Sequence, residues 1–177
     1  MPRKRPALTV VAFALLLAGA AFGLRATPGV SAQPAATAAR WQAAWISTYT
    51  WYSNSPPGCG IEYARDYGYP TVHDCAGGTG TWRDPITFAS QLGEWVPGTR
   101  VYIPFFRAYF MKEDYCSTCF RRVLQMDVWA GKAPAGSAIA DFWHRLRVEV
   151  NPPRGLPTTS RRGLTGWSPT AGRPQGR

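Results

Sequence analysis

The sequence predicts a small, mainly β domain that closes, or nearly closes, into a barrel. Runs rich in Thr, Tyr, Trp, Val and Ile recur between Gly/Pro turns, and no helical period lasts long enough to organise a bundle. A chain of 177 residues has room for one substantial core. Short strands at this size leave exposed edges unless the sheet closes on itself.

The elements follow in chain order. Residues 1–32 read as an export signal. Arg3, Lys4 and Arg5 precede an apolar run of 18 residues, Ala7 to Leu24, and Val30-Ser31-Ala32 suits cleavage before Gln33. An uncleaved N-terminal anchor is the competing reading, since the run reaches the lower limit of a membrane span. Both readings place the rest of the chain outside the cytoplasm. Residues 33–45 read as a linker, and Trp41 opens a short helical piece before the strand-forming run to Tyr52.

Residues 46–150 carry the barrel. Ser53 to Gly60, with Asn54 and two prolines, is a turn. The AGGTGT stretch from Ala76 to Thr81 must be a loop whose small side chains admit a neighbouring segment closely. Strands are expected from Asp84-Pro85 into Ala89, over Arg100 to Phe106, at Tyr109 to Lys112, over Val123 to Trp129, and at Leu146 to Val150. Ser137 to His144 is expected to form one or two helical turns. In the Val123–Trp129 run, Gln125, Asp127 and Trp129 share one face with Val123, while Leu124, Met126 and Val128 share the other. An acid inside such a strand costs stability unless it is solvated or paired, and this singles out Asp127. Residues 151–177 hold five prolines, five glycines and no acid, and read as a disordered basic tail.

The charge pattern narrows the function. The net charge of +10 lies outside the barrel, because residues 41–150 carry ten basic and ten acidic side chains. A neutral domain in an exported chain argues against nucleic acid as partner. The basic tail would instead be drawn weakly to anionic wall polymers.

An even cysteine count in an exported chain reads as disulfides with three connectivities, of which Cys59–Cys75 with Cys116–Cys119 is preferred. Zinc held by the Cys-x-x-Cys pair and His73, and redox exchange at that pair, are the minor readings. No metal or other cofactor is expected. His73 and His144 read as surface or locally bonded residues, Asp84 as a turn residue, and Tyr49 and Thr81 as groove donors or turn residues.

The ordered blocks Thr50-Trp51-Tyr52, GTGTWRDPITFA, PGTRVYIP, Glu113-Asp114 and QMDVWAG resemble the double-psi β-barrel. That fold is shared by expansins, rare lipoprotein A-like proteins and the three-aspartate domain of lytic transglycosylases. The resemblance spans residues 46 to 150 and implies a six-stranded barrel with long loops and one or two short helices. It implies that Thr50 and Tyr52 line a polysaccharide groove and that Asp127 is the catalytic or glycan-contacting acid. Gln125 stands where expansins have histidine. Asp114 falls near the acid that opens the three-aspartate motif, but Tyr115-Cys116 replaces the Thr-Gly that should follow.

The chemistry can be argued separately. A lytic transglycosylase needs one acid with a raised pKa, whereas hydrolysis usually takes two carboxylates, for which Asp127 and Asp114 are the nominees. Trp51, Trp82 and Trp129, with Tyr52, are the candidate sugar-stacking rings, and Gln125 a candidate polar contact. The expected function is noncatalytic binding or loosening of cell-wall glycan (peptidoglycan, chitin or cellulose) by a secreted monomer. The alternatives are a lytic transglycosylase-like enzyme and a protein-interaction or inhibitor domain.

Overall fold

The structure, a computed structural model, describes residues 38–120, 123–159 and 164. The expected export signal over 1–32 lies outside the described residues. Six strands form the domain: β1 (Arg40–Tyr49), β2 (Ile86–Ser90), β3 (Arg100–Ile103), β4 (Ala108–Tyr115), β5 (Gln125–Trp129) and β6 (His144–Val150). They close into a barrel in the order β1-β5-β2-β4-β3-β6. The β1/β5 and β2/β4 pairs are parallel and the other four antiparallel. Parallel neighbours need crossover connections, so the long loops are a topological requirement.

Side-chain alternation sorts the barrel wall into two faces. Inside lie Ile46, Phe88, Val101, Phe110, Val128 and Val148, none measurably exposed. Outside, β1 presents Trp41, Ala43, Trp45, Ser47 and Tyr49, while β5 presents Gln125, Asp127 and Trp129, in register with them from Trp45↔Gln125 to Tyr49↔Trp129. The expected face assignment of β5 holds.

The glycine loop packs as closely as its composition implied. A Cβ on Gly78 would lie 2.0 Å from the Pro85 carbonyl oxygen, and one on Gly80 would lie 2.9 Å from the Ala108 Cβ. Both glycines have positive φ, +98° and +80°, a region that L side chains avoid. Both expected disulfides form, Cys59–Cys75 and Cys116–Cys119. Disulfides are commonest in proteins of oxidising compartments. Among the described residues no helix is long and apolar enough to cross a membrane.

Three expectations are corrected. Residues 40–45 are strand, not linker: Trp41, Ala43 and Trp45 point out while Ala44 and Ile46 point in, and pairing with β6 overrides the helix preference of Gln-Ala-Ala. Residues 138–141 make turns, and among the described residues the one helical element is the 3₁₀ turn Arg65–Tyr67. The start of the supposed tail is docked on the barrel. The Tyr102 and Tyr109 hydroxyls donate to the carbonyls of Pro157 (2.6 Å) and Pro153 (2.7 Å), Thr159 bonds Phe106, and Leu164 is buried. The remaining tail residues lie outside the described residues.

Candidate functional site

The outer wall of β1, β5, β2 and β4 brings two acids into one row. Asp127 on β5 is paired with Ser47 on β1 and with Ala89 on β2, and Ala89 is also paired with Asp114 on β4. Directly paired residues point the same way, so the row reads Ser47, Asp127, Ala89, Asp114. Two strand spacings separate the acid Cα atoms, about 10 Å. Ala89 occupies the strand position between the two acids, and the Tyr49 side chain lies close enough to feel the charge of both.

The two acids are held differently. Asp114 is buried, and its Oδ1 accepts from the backbone amides of Glu62 (2.9 Å) and Tyr115 (2.8 Å). Burial raises its pKa, and those amides pull it back. Asp127 is half-buried, and its Oδ1 accepts one hydrogen bond, from the Ser47 hydroxyl at 2.7 Å. Burial, opposed by the Ser47 bond and assisted by the charge of Asp114, lifts it to about 6. Part of that burial is the Cys116–Cys119 pair, whose sulfurs lie within 4.8 Å of the carboxylate. Sulfurs bonded to each other are weak acceptors, and they exclude water without offering a donor. Because these two sulfurs are joined, they do not ligate zinc with Asp127. His73 is engaged by carboxylates, which removes the zinc grouping considered from the sequence.

A short relay orients Ser47. Gln125 accepts the Phe120 amide at 2.9 Å and donates to the Ser47 hydroxyl at 2.9 Å, so the hydroxyl is left to donate to Asp127. Gln125 thus acts on the acid through Ser47. Next along the wall, Tyr49 meets Trp129 edge-on at 5.1 Å. The Tyr49 hydroxyl is buried without a well-formed hydrogen bond, and burial, then the charges of Asp114 and Asp127, hold its proton on. Ser47 was not signalled by the sequence. Its outward register opposite Asp127 was the available clue.

Beyond Trp129 opens a cleft of about 620 Å³ whose lining includes Trp51, Trp129, Asp84, Lys132 and the Cys59–Cys75 disulfide. Lys132 Nζ sits 4.6 Å over the Trp51 ring. Thr50 and Tyr52 instead border a second cleft of about 570 Å³ with Pro134 and Asp141. The Thr50 hydroxyl is used within its own turn, accepting from the Tyr52 and Ser53 amides. Tyr52 is 62% exposed. Trp82 lines neither cleft; it lies against Tyr109, with the guanidinium groups of Arg100 and Arg154 4.8 Å and 5.3 Å from its ring. The structure therefore gathers Asp127, Asp114, Gln125 and Trp129, places Trp51 next to them, and separates Thr50, Tyr52 and Trp82.

A second carboxylate cluster stands behind the first. Glu113, fully buried, accepts from the amides of Val72 and His73, from the Thr87 hydroxyl (2.6 Å) and from His73 Nδ1 (2.7 Å). The other imidazole nitrogen meets Asp84 at 2.8 Å. Burial lowers the His73 pKa, but bonds to the two carboxylates outweigh it and leave the pKa raised. With a carboxylate at each nitrogen, the imidazole donates to both when it is protonated. This cluster pins the 59–79 loop to the barrel; 40 residues separate Glu113 from His73 in sequence, so no local motif announced it.

Fold and site together define a disulfide-braced, closed six-stranded β-barrel with an acid and aromatic rings on its outer wall. The chain belongs to the family described as the DDB_G0273701 N-terminal domain, whose model matches residues 41–162. A curated relative, the uncharacterized protein DDB_G0273701/DDB_G0273221 of Dictyostelium discoideum, is 32% identical over 91 residues. That alignment covers 49% of this chain and 38% of the relative, so the matched part spans well under half of that protein. No solved structure matches the chain.

Proposed function

We propose that this is a secreted cell-wall glycan-binding protein that loosens or holds wall polymer without hydrolysing it. The observation that carries the reading is the asymmetry of the acids. Asp127 is only half-buried and lies two residues before Trp129, which borders the cleft, whereas Asp114 is buried and bound to two backbone amides. Hydrolysis by a carboxylate pair needs both acids at the scissile bond. One half-buried acid near a partly exposed indole suits sugar binding, with the carboxylate accepting from hydroxyls and Trp51 covering an apolar sugar face, while Trp129, 5% exposed, backs the cleft. The closed barrel with two parallel pairs supports the double-psi resemblance, and the two disulfides support export.

A lytic transglycosylase-like activity is the second reading. It is favoured by the Asp127 pKa of about 6, which keeps a sizeable protonated fraction in mildly acidic surroundings. Retention on purified peptidoglycan, chitin and cellulose, followed by mass spectrometry for 1,6-anhydro sugars, separates the two. Retention without product supports binding. Anhydro product that vanishes in Asp127→Asn replaces binding with catalysis. No retention on any polymer by the oxidised protein removes both readings and leaves a protein-interaction role.

A further inference from the structure

The outer face of β1 does not end at the acid. From Ser47 toward the strand's start it presents Trp45, Ala43 and Trp41, and β6 sets Arg145 opposite Trp45, Arg147 opposite Ala43 and Glu149, buried unlike the two arginines, opposite Trp41. Trp45 stacks on Trp143 at 5.3 Å and 20° between planes, and Trp143 meets Phe120 at 5.8 Å. The Arg147 guanidinium lies 4.4 Å over the Trp41 ring. Trp41 and Trp143 remain 45% and 41% exposed, so these rings are not consumed by the core. Arg145 and Arg147 are exposed, and no carboxylate pairs with them among the described residues. Trp41 and Trp45 are four residues apart on a strand, about 13 Å.

We infer that this stripe is a second binding segment, continuous with the Asp127 site, that selects an acidic polysaccharide carrying carboxylate or phosphate groups. The inference rests on the glycan-binding reading above and adds the charge class of the polymer. The indole rings offer flat surfaces for sugar rings, and the arginines beside them offer forked donors that match carboxylate or phosphate oxygens. A guanidinium already stacked on an indole keeps its outward N–H groups available while losing little further freedom on binding.

Charge also fixes the polymer's direction of discrimination. At the arginine end an anionic substituent is attracted, while at Asp127 an anion is repelled and a neutral hydroxyl is accepted. A single-stranded nucleic acid, with a phosphate on every unit, would meet repulsion at the centre of the line. A polysaccharide whose acidic groups are spaced so that a neutral unit faces Asp127 meets none.

Carboxymethyl cellulose and hydroxyethyl cellulose share a backbone and differ in charge, so titrating the protein with each isolates the effect. The expected result is at least tenfold tighter binding of the carboxymethyl polymer at low salt, lost as salt is raised. Arg145→Gln with Arg147→Gln should abolish that preference and leave hydroxyethyl cellulose binding within twofold. Trp41→Ala should weaken both. A control pair of equal charge change, Arg83→Gln with Arg107→Gln, should leave the preference intact. Equal loss in both pairs means that net charge alone acts, and overturns the inference. Equal affinity for both polymers, or binding of neither, overturns it too but leaves the glycan reading standing, and binding of neither together with no retention on peptidoglycan or chitin removes both. Tighter binding of a 20-mer of deoxythymidylate than of the carboxymethyl polymer overturns it in favour of nucleic acid.

Discussion

Glu113 and Asp127 lie on strands of the same wall and meet opposite treatment. Glu113 is fully buried, yet two amides, a hydroxyl and the His73 imidazole are arranged around it, and the 59–79 loop is fastened as a result. Asp127 is less buried but is given one hydroxyl, a neighbouring acid and a disulfide that excludes water. An acid surrounded by donors is structural, because removing it orphans every partner. An acid left short of donors is held above its comfortable energy, and that surplus is available to a ligand that can bond it.

The contrast breaks most visibly at Glu113. Replacing it by leucine leaves two amides, a hydroxyl and a histidine without their acceptor, and should cost about 3–5 kcal/mol in urea unfolding. Hydrogen exchange over 63–79 should rise with it. A loss under about 1 kcal/mol would mean that the loop is held by other contacts.

Asp127→Asn should do the reverse. Its folded pKa of about 6 lies above the unfolded value, so the native protein holds the proton longer. Stability therefore falls as pH rises from about 4 to 6, and the full penalty, at most about 3 kcal/mol, is present at neutral pH. The asparagine variant should be more stable than the parent at pH 7.5, equal to it near pH 3.5, and weakened in glycan binding.

Opening the disulfide beside the acid is expected to have a smaller effect. Cys116→Ser with Cys119→Ser releases a very short loop, about 2 kcal/mol by chain entropy, against about 3 kcal/mol for the Cys59–Cys75 loop. It should also move the Asp127 pKa down toward its ordinary value as water enters, which carbon-detected NMR titration would follow.

The smallest effect belongs to His73. Its raised pKa means that the latch contributes fully below about pH 6.5 and weakens as pH rises through the folded value. Exchange protection of the 63–79 backbone should therefore be lower at pH 8.5 than at pH 6 in the parent, and insensitive to pH in His73→Gln once intrinsic exchange rates are divided out.

Much of the barrel was legible because strand-forming runs and turn residues are local signals. Asp127 stood out as an acid in an apolar strand, and Trp129 shared its face. The start of β1 was obscured by Gln42, Ala43 and Ala44, which favour helix locally, although Trp41, Trp45, Ala44 and Ile46 already carried a period of two. Ser47, Tyr49 and Asp114 become one site with Asp127 only through strand order β1-β5-β2-β4, which no local pattern encodes. The same holds for Glu113 and His73. Trp82 looked like a sugar platform from composition, but two arginines from distant positions cover it. The docked start of the tail depends on the phenols of Tyr102 and Tyr109, which cannot be assigned partners from sequence alone.

The central claim is that Asp127, and not Asp114, is the acid that meets the ligand. Carbon-detected NMR of the aspartate carboxyl groups, titrated with pH in the absence and presence of soluble peptidoglycan fragments or chitin oligosaccharides, tests it directly. The expected result is an Asp127 carboxyl that titrates near 6 and shifts on adding glycan, while the Asp114 signal stays where it was. An Asp114 signal that moves while Asp127 stays fixed, or two signals that ignore every glycan offered, would contradict it.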